Sequence, residues 1–388
     1  MRRYYFDYAA TAPADLEVVK AMEPYFYEKF GNPSSLHYFG QEARKAMEEA
    51  RGELAAFLGA KDEEIIFTSG GTESDNFALN GIAQANENKG NHIITSAIEH
   101  HAVLEPARLL EKRGFKVTYV KVDEFGMVSP QDIKKAITDK TILISIMHAN
   151  NEIGTIQPIK EIAAVAKEKG IYFHCDAVQT VGHMPTNVDD LGVDLLSLSA
   201  HKFYGPKGVG ALYVRKGTKI SPFMLGGGQE KHRRASTENV AAIVGLGKAV
   251  EICKKKMFEE EKEQTVMRDR IINELKKKIE RIYLNGHPTR RLSNNVNFSV
   301  EYVEGESMLL NLDMAGIAAS TGSACTSGDL EPSHVLLSIG RPHELCHGSI
   351  RFTLGRFTQG EDIDYLLEKF PEIVARLRSM SPLYDKHK

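Results

Sequence analysis

The sequence predicts an α/β protein: a large domain built on a mostly parallel sheet of about seven strands, joined to a smaller α+β domain. Three observations carry this. Between about Glu64 and Arg215, short and nearly continuous apolar runs alternate with amphipathic stretches. Strands that are apolar throughout are buried on both faces, as in a parallel sheet covered by helices. A long charged amphipathic stretch follows, and after it the order changes to strand, helix, strand, helix, the pattern of a separate α+β unit. At 388 residues the chain also exceeds what one small core holds.

The apolar runs are Ile65-Ile66-Phe67, His92 to Thr95, Lys116 to Val120, Thr141 to Ile146, Ile171-Tyr172-Phe173 and Asp194 to Leu198. Helices between them have readable ends. Ser129 is an N-cap followed by Pro130 and the first-turn acid Asp132, while Gly114 and Gly170 stand where helices stop. The long helix, from about Phe258 to Ile282, carries Met267, Ile271, Ile272, Leu275 and Ile279 on one stripe. Then come a strand from Asn295 to Val300, a helix from Gly305 to Ala315, a loop of Ser, Thr and Gly, a strand from Ser349 to Leu354 and a helix from Glu361 to Met380. The expected division is 12–258 for the large domain, and 1–11 with 259–388 for the small one.

Composition removes several function classes. The formal net charge is −3, so no polyanionic partner is indicated and direct nucleic-acid binding is not expected. No run approaches the roughly 18 apolar residues of a membrane helix, and Met1-Arg2-Arg3 leads into no signal-peptide core. Cys175, Cys253, Cys325 and Cys346 are far apart, with no Cys-x-x-Cys pair, which is neither a disulfide framework nor a zinc site. The expectation is a reduced cytoplasmic protein.

Four signals fall at successive strand ends. Lys202, in Ser199-Ala200-His201-Lys202, lies at the carboxyl edge of the sheet, where ligands of open α/β folds bind; a lysine there can form a Schiff base with an aldehyde cofactor. Thr68-Ser69-Gly70-Gly71-Thr72-Glu73 joins a strand to a helix, and a glycine-rich helix start binds phosphate. Asp176 ends another strand, where a buried carboxylate needs a cation such as a protonated pyridine nitrogen. Glu99-His100-His101 follows a third strand and offers an imidazole to stack on a planar ring and move protons. Each has a plainer alternative: a solvated lysine, a capped helix, an ion-paired aspartate, a structural histidine. Together they match what pyridoxal 5'-phosphate requires.

These motifs, with Tyr5 to Thr11, Phe30-Gly31-Asn32-Pro33-Ser34-Ser35, His148-Ala149-Asn150-Asn151-Glu152-Ile153-Gly154 and Ser320 to Ser327, resemble the cysteine desulfurases that supply sulfur for iron–sulfur clusters. That group is a branch of the class-V aminotransferase-like enzymes, with the aspartate-aminotransferase-like fold (fold type I). The resemblance runs over nearly the whole chain. It implies that Lys202 bonds the cofactor aldehyde, that His100 stacks on the ring, and that Asp176 holds the ring nitrogen and Gln179 the phenolic oxygen. It also implies that Gly71, Thr72, Ser199 and His201 bind the phosphate. Asn151 would lie at the cofactor and the substrate carboxylate, which Arg351 would clamp. A homodimer is implied too, with Thr237 completing the phosphate site of the other subunit. Here the usual Arg-Ser-Gly-Thr reads Arg234-Ala235-Ser236-Thr237, so the loop has lost its glycine.

Cys325 sits in Gly322-Ser323-Ala324-Cys325-Thr326-Ser327-Gly328-Asp329, a composition that predicts an exposed loop and hence a thiol able to ionise and attack. Cys175, Cys253 and Cys346 better fit buried apolar roles, with Cys346 the rival thiol. The resemblance implies that L-cysteine is the substrate, that Cys325 takes its sulfur as a persulfide, and that L-alanine leaves. The 26 positions from Cys325 to Arg351 resemble the long-loop group, whose loop carries sulfur to a partner protein, more than the short-loop group. The resemblance implies a scaffold or other acceptor protein for iron–sulfur clusters and leaves tRNA thiolation open. One metal role is left open, a shared iron–sulfur ligand at Cys325. The bacterial housekeeping enzymes continue past Ser381-Pro382-Leu383 with a tail that contacts the scaffold; a scaffold partner is expected here too, with its docking mode left open. Other activities on this fold (aminotransferase, selenocysteine lyase, cysteine lyase) would share Lys202 and Asp176 without needing Cys325. A non-catalytic sulfur carrier or assembly scaffold that has kept the fold would need none of Lys202, His100 and Asp176.

Overall fold

The computed structural model describes residues 2–321, 331–382 and 384. In chain order its strands are β1 (Tyr4–Tyr5), β2 (Ile65–Thr68), β3 (His92–Ser96), β4 (Lys116–Val120), β5 (Thr141–Ser145), β6 (Tyr172–Asp176), β7 (Leu195–Ser199), β8 (Gly210–Val214), β9 (Ile282–Leu284), β10 (Asn295–Val300), β11 (Ile317–Ala318) and β12 (Ser349–Thr353). Seven of them form one sheet in the order β2-β8-β7-β6-β5-β3-β4. β8 runs antiparallel to both its neighbours, and the other pairings are parallel. The carboxyl ends of β2, β3, β5, β6 and β7 therefore open on one side of the sheet.

The apolar runs form this sheet because adjacent residues serve opposite cores. Phe67, Ile94, Ile144 and Leu196 pack on one face with Leu54, Leu58 and Ile162. Their sequence neighbours Ile66, Ile93, Leu143 and Leu195 pack on the other with Phe77, Ile82 and Leu110. Side chains alternate across a strand, so a strand apolar at every position is satisfied only between two helical layers. β4 is the edge strand, and three of its residues are only half-buried.

A second core contains Phe6, Ile271, Leu275, Phe298, Phe352, Leu366 and Phe370. It is built on the antiparallel sheet β12-β10-β9, with the helix Gly360–Met380 against it. The two-residue strands β1 and β11 pair in parallel beside it.

The structure departs from expectation at the long helix, which runs from Val240 to Lys278 rather than starting near Phe258. Its first half is lined with small buried residues (Ala241, Ala242, Gly245, Gly247, Ala249), and its first two turns, 240–247, carry no charge. A Cβ on Gly245 would come within 2.6 Å of Met22 Sδ, and one on Gly247 within 2.7 Å of Ala50 Cβ, so close packing of helices explains the composition. The same helix places Leu246 and Val250 in the sheet core and Ile271 and Leu275 in the second core. At its end, Ile282 begins β9 instead of closing the helix. Among the described residues no helix is long and apolar enough to cross a membrane.

Candidate functional site

A cavity of about 360 Å³ opens at the carboxyl ends of the sheet. It gathers Gly71, Thr72, His100, Asn151, Asp176, Gln179, Ser199, His201, Lys202 and Arg351, all expected at the site from the sequence. Asp176 and Ser199 are the last residues of β6 and β7. Lys202 lies in the single 3-10 turn after β7, and Gly71 opens the helix Gly71–Asn86 after β2. His100 is the N-cap of the helix His101–Lys112. Arg351 reaches in from β12 of the second core.

Two expected residues stand apart. Thr237 lines a neighbouring cavity of about 210 Å³ with Thr68, Ser69 and Arg234, not the first one. Cys325 lies outside the described residues. Of the other cysteines, Cys175 and Cys253 are buried, and burial raises both thiols, Cys253 to about 12. Cys346, the rival, is 3% exposed, and burial pushes its thiol up to about 11. It is not poised to ionise.

The N-terminal segment supplies partners that the sequence reading did not assign. Lys202 Nζ donates to the carbonyls of Ala9 (2.6 Å) and Ala10 (2.9 Å), and Gln179 Nε2 donates to Ala9 O at 3.1 Å. Arg351 Nη2 meets Asp7 Oδ1 at 2.8 Å, and Nη1 donates to Asn151 O at 2.8 Å. Arg351 Nε is buried without a hydrogen-bond partner. A substrate carboxylate binding here must exchange with Asp7 or add to it.

Electrostatics divide the site. Asp176 is 6% exposed; burial raises its carboxyl to about 6, opposed by the Val178 N–H at 2.9 Å and by the charge of Lys202. It is thus anionic at neutral pH. His100 falls to about 4 through burial and then through Lys202, so its ring is neutral. Its Nδ1 accepts from Ala102 N at 3.0 Å, which puts the ring proton on Nε2. Burial and Lys202 likewise hold His201 neutral, at about 4, and its Nδ1 lies 3.1 Å from Thr11 Oγ1.

Asp75 is a further cavity residue that the sequence reading missed. Placed four residues after Gly71 in the helix Gly71–Asn86, it has no strand-end signal in the sequence, yet it is 1% exposed and its Oδ1 has no hydrogen-bond partner. Burial, then the Asp176 charge, raises its carboxyl far above the usual range.

These residues fit pyridoxal phosphate. A buried anion stands ready for a ring cation, an amine for an aldehyde, and a 16-residue helix starts at the cavity with two small residues. A Cβ at Gly71 would come within 2.5 Å of Val178 Cγ2, so only glycine lets the helix start approach this closely.

The model of the family "Aminotransferase class-V" matches residues 4–366. The cysteine desulfurase IscS of Dictyoglomus turgidum is 61% identical over 387 residues, covering 100% of this chain and 98% of its own. That of Methanosarcina thermophila is 59% identical, covering 98% and 94%. A solved structure described as a NifS-like protein superposes with a TM-score of 0.91 at 39% identity, over 97% of this chain and 100% of its own. Another, described as SspA in complex with cysteine, gives 0.80 at 38% identity over 92% and 100%. The chain belongs to the class-V aminotransferase family and, within it, to the cysteine desulfurases. Its fold is the type I fold of that family, and its cofactor is pyridoxal 5'-phosphate.

Proposed function

We propose that this chain removes sulfur from L-cysteine, leaving L-alanine and a persulfide on Cys325, and hands that sulfur to an acceptor protein for iron–sulfur cluster assembly. The observation that carries the reading is the one cavity uniting Lys202, Asp176, His100 and Arg351, contributed by three sheet strands and by the second core. In this reading 12–258 holds the cofactor, while 1–11 with 259–388 brings Arg351 and Cys325. We read the protein as cytoplasmic, and a role in tRNA thiolation rests on the same sulfur transfer.

The bound cofactor supplies an electron sink for the pair left when the substrate Cα loses its proton. Arg351 orients the substrate carboxylate with a planar fork of donors, beside Asn151. The Lys202 amine is placed to take the Cα proton and later return it. Asp176, anionic and buried, would hold the proton on the ring nitrogen, with Gln179 and the neutral His100 as the further ring contacts. Gly71, Thr72, Ser199 and His201 would hold the phosphate. The Cys325 thiolate attacks the substrate sulfur; its S–S bond forms as the C–S bond breaks, and the electron pair released at carbon takes a proton to give alanine.

The same reading assigns Thr237 to the phosphate of a second copy. Phe26 (67% exposed), Phe30 (64%), Leu36 (83%), Tyr38 (70%) and Leu225 (85%) leave apolar surface bare, which suits a homodimer face.

Purified protein incubated with L-cysteine and a thiol reductant should yield alanine in step with sulfide, and Cys325→Ala should bind substrate without turning over. Pyruvate and ammonia in place of alanine, or undiminished sulfide release by the variant, would overturn the reading.

A further inference from the structure

Asn151 sits on a tight turn whose geometry is set from within and from without. Inside the turn, Asn150 Oδ1 accepts from the N–H of Glu152 (2.9 Å) and Ile153 (3.0 Å). Gly154 N donates to Asn150 O at 3.0 Å, and Gly154 takes φ +76°. This leaves four successive carbonyls, those of residues 151 to 154, pointing out of the turn in a region where none can be left unpaired cheaply.

All four are taken by residues of the β9–β12 region. Arg351 Nη1 donates to Asn151 O at 2.8 Å. Asn295 and Asn297 Nδ2 donate to Glu152 O at 3.2 and 3.1 Å. Arg291 Nη2 donates to Ile153 O at 3.1 Å, and Leu292 N donates to Gly154 O at 2.9 Å. Asn297 and Arg351 are opposite one another on the β10–β12 ladder, so one pair of strands addresses two neighbouring carbonyls.

Arg291 stands out in this set. It is 3% exposed and spends its donors on main-chain oxygens: besides Ile153 O, those of Asn285 (3.3 Å), His287 (3.4 Å) and Asn295 (3.2 Å). A buried guanidinium normally faces a carboxylate; here its planar fork ties the turn to the loop between β9 and β10. Gly286 belongs to the same contact, since a Cβ there would come within 2.3 Å of Ile153 O.

We infer that Arg291, seconded by Asn297, is a positioning residue for substrate recognition: it fixes the 150–154 turn on the second core and thereby sets Asn151 against Arg351. This rests on the reading of Asn151 and Arg351 as the substrate-carboxylate site. Lys202, Asp176, Gly71 and Ser199 stand on other elements, so most of the groups that would hold the cofactor keep their places without Arg291.

The test is a double-mutant cycle on the holoenzyme with Arg291→Met and Asn151→Ala, reading KM for L-cysteine, kcat, cofactor content and its absorbance spectrum. Arg291→Met should raise KM about tenfold, the scale of one charge-assisted hydrogen bond, with kcat and cofactor content close to the parent. In the Asn151→Ala background the same change should raise KM no further. Arg291→Lys should recover part of the loss. An unchanged KM with only a lowered Tm would overturn the inference, as would a KM effect that adds in full to that of Asn151→Ala. If Asn151→Ala by itself leaves KM unchanged, the carboxylate-site reading falls and the inference with it. Should Arg291→Met fail to fold, Asn297→Ala, which removes one of two donors to Glu152 O, is read in the same cycle and should raise KM several-fold. An Asn297→Ala enzyme with unaltered KM would count against the inference in the same way.

Discussion

Ser236 takes φ +137°, a backbone conformation that residues with a Cβ adopt rarely. It is the place where the related motif Arg-Ser-Gly-Thr carries glycine. The strain is not confined to it: Glu230, Lys231 and His232 take φ +44°, +57° and +64°, so one short loop next to Thr237 holds four non-glycine residues in this region. Glu230 is fixed there by the buried Arg51, with two bonds of 2.9 and 2.8 Å, and by the Phe67 N–H at 2.9 Å. Ser236 has no comparable anchor: its side chain is exposed, and its N–H makes one long bond of 3.4 Å to Gln229 Oε1. Ser236→Gly should therefore relieve backbone strain without losing a contact. A strained residue costs about 1–3 kcal/mol, and glycine gives back roughly 0.5–1 kcal/mol through the entropy of the unfolded chain. The net gain is about 0.5–2 kcal/mol. With an unfolding entropy of roughly 0.8 kcal/mol/K for a chain of this length, Tm should rise by about 0.6–2.5 °C. Calorimetry on cofactor-loaded protein at fixed concentration measures this, with Lys231→Gly as a second site in the same loop. A Tm unchanged or lowered by Ser236→Gly would refute the assignment of strain to this residue.

Removing the carboxylate of Glu230 leaves Arg51, 4% exposed, with the half-exposed Glu48 at 3.0 Å as its remaining ionic partner, so Glu230→Ala should cost about 3 kcal/mol in chemical denaturation, the low end for breaking a buried pair. Adding Arg51→Met should recover much of that loss; an additive double variant would refute the ion-pair account. Glu99 is fully buried, and burial raises its carboxyl from 4.5 to about 8 against hydrogen bonds from Ser96 and Met147. The folded chain holds a proton that the unfolded chain releases. This stabilising contribution is complete below about pH 4.5 and is lost as pH rises through 8. Glu99→Gln, which cannot ionise, should raise Tm relative to the parent more above pH 8 than at pH 5; an equal difference at both would contradict the shift. Asp176→Asn should keep the protein folded while weakening its hold on the ring-nitrogen proton, seen as a changed cofactor spectrum; a spectrum identical to the parent's would rule that role out.

Much of this site was legible because its parts sit at strand ends. An apolar run followed by a single Lys, Asp or His marks where a parallel strand stops and a cavity begins, and Lys202, Asp176 and His100 are placed that way. What escaped notice had no such signal. β8 is a plain five-residue run that lies antiparallel, and its direction is set by pairing with β2 and β7, not by its residues. The first half of the helix Val240–Lys278 is disguised by Ala and Gly, which are there for close contact with other helices. Asp75 and the Ala9–Ala10 carbonyls contribute through burial and backbone position, neither of which a residue type announces. The bonds from Arg291, Asn295 and Asn297 to the 150–154 turn join segments more than 130 residues apart and exist only once both cores have formed.

Three buried carboxyls stand near one another (Asp75, Glu99 and Asp176); they would be mutually destabilising if all were charged, and burial raises each of them. Glu99 has its hydrogen bonds from Ser96 Oγ and Met147 N but is raised to about 8 by burial, with the Asp176 charge adding to the effect. Asp75 lies 3.5 Å from His174 Nε2, but burial takes that imidazole down to about 3, so it gives Asp75 no cationic partner. Asp176 differs because the Val178 N–H and the charge of Lys202 oppose its burial. Asp176 is thereby held lower than Glu99, and it stands at the end of β6, where a ring nitrogen would sit. A cationic ring bound there would draw Asp176 further down and add a partner that the free chain lacks. Cofactor binding should accordingly raise stability more at pH 7 than below the Asp176 value of about 6, where that carboxyl already carries a proton.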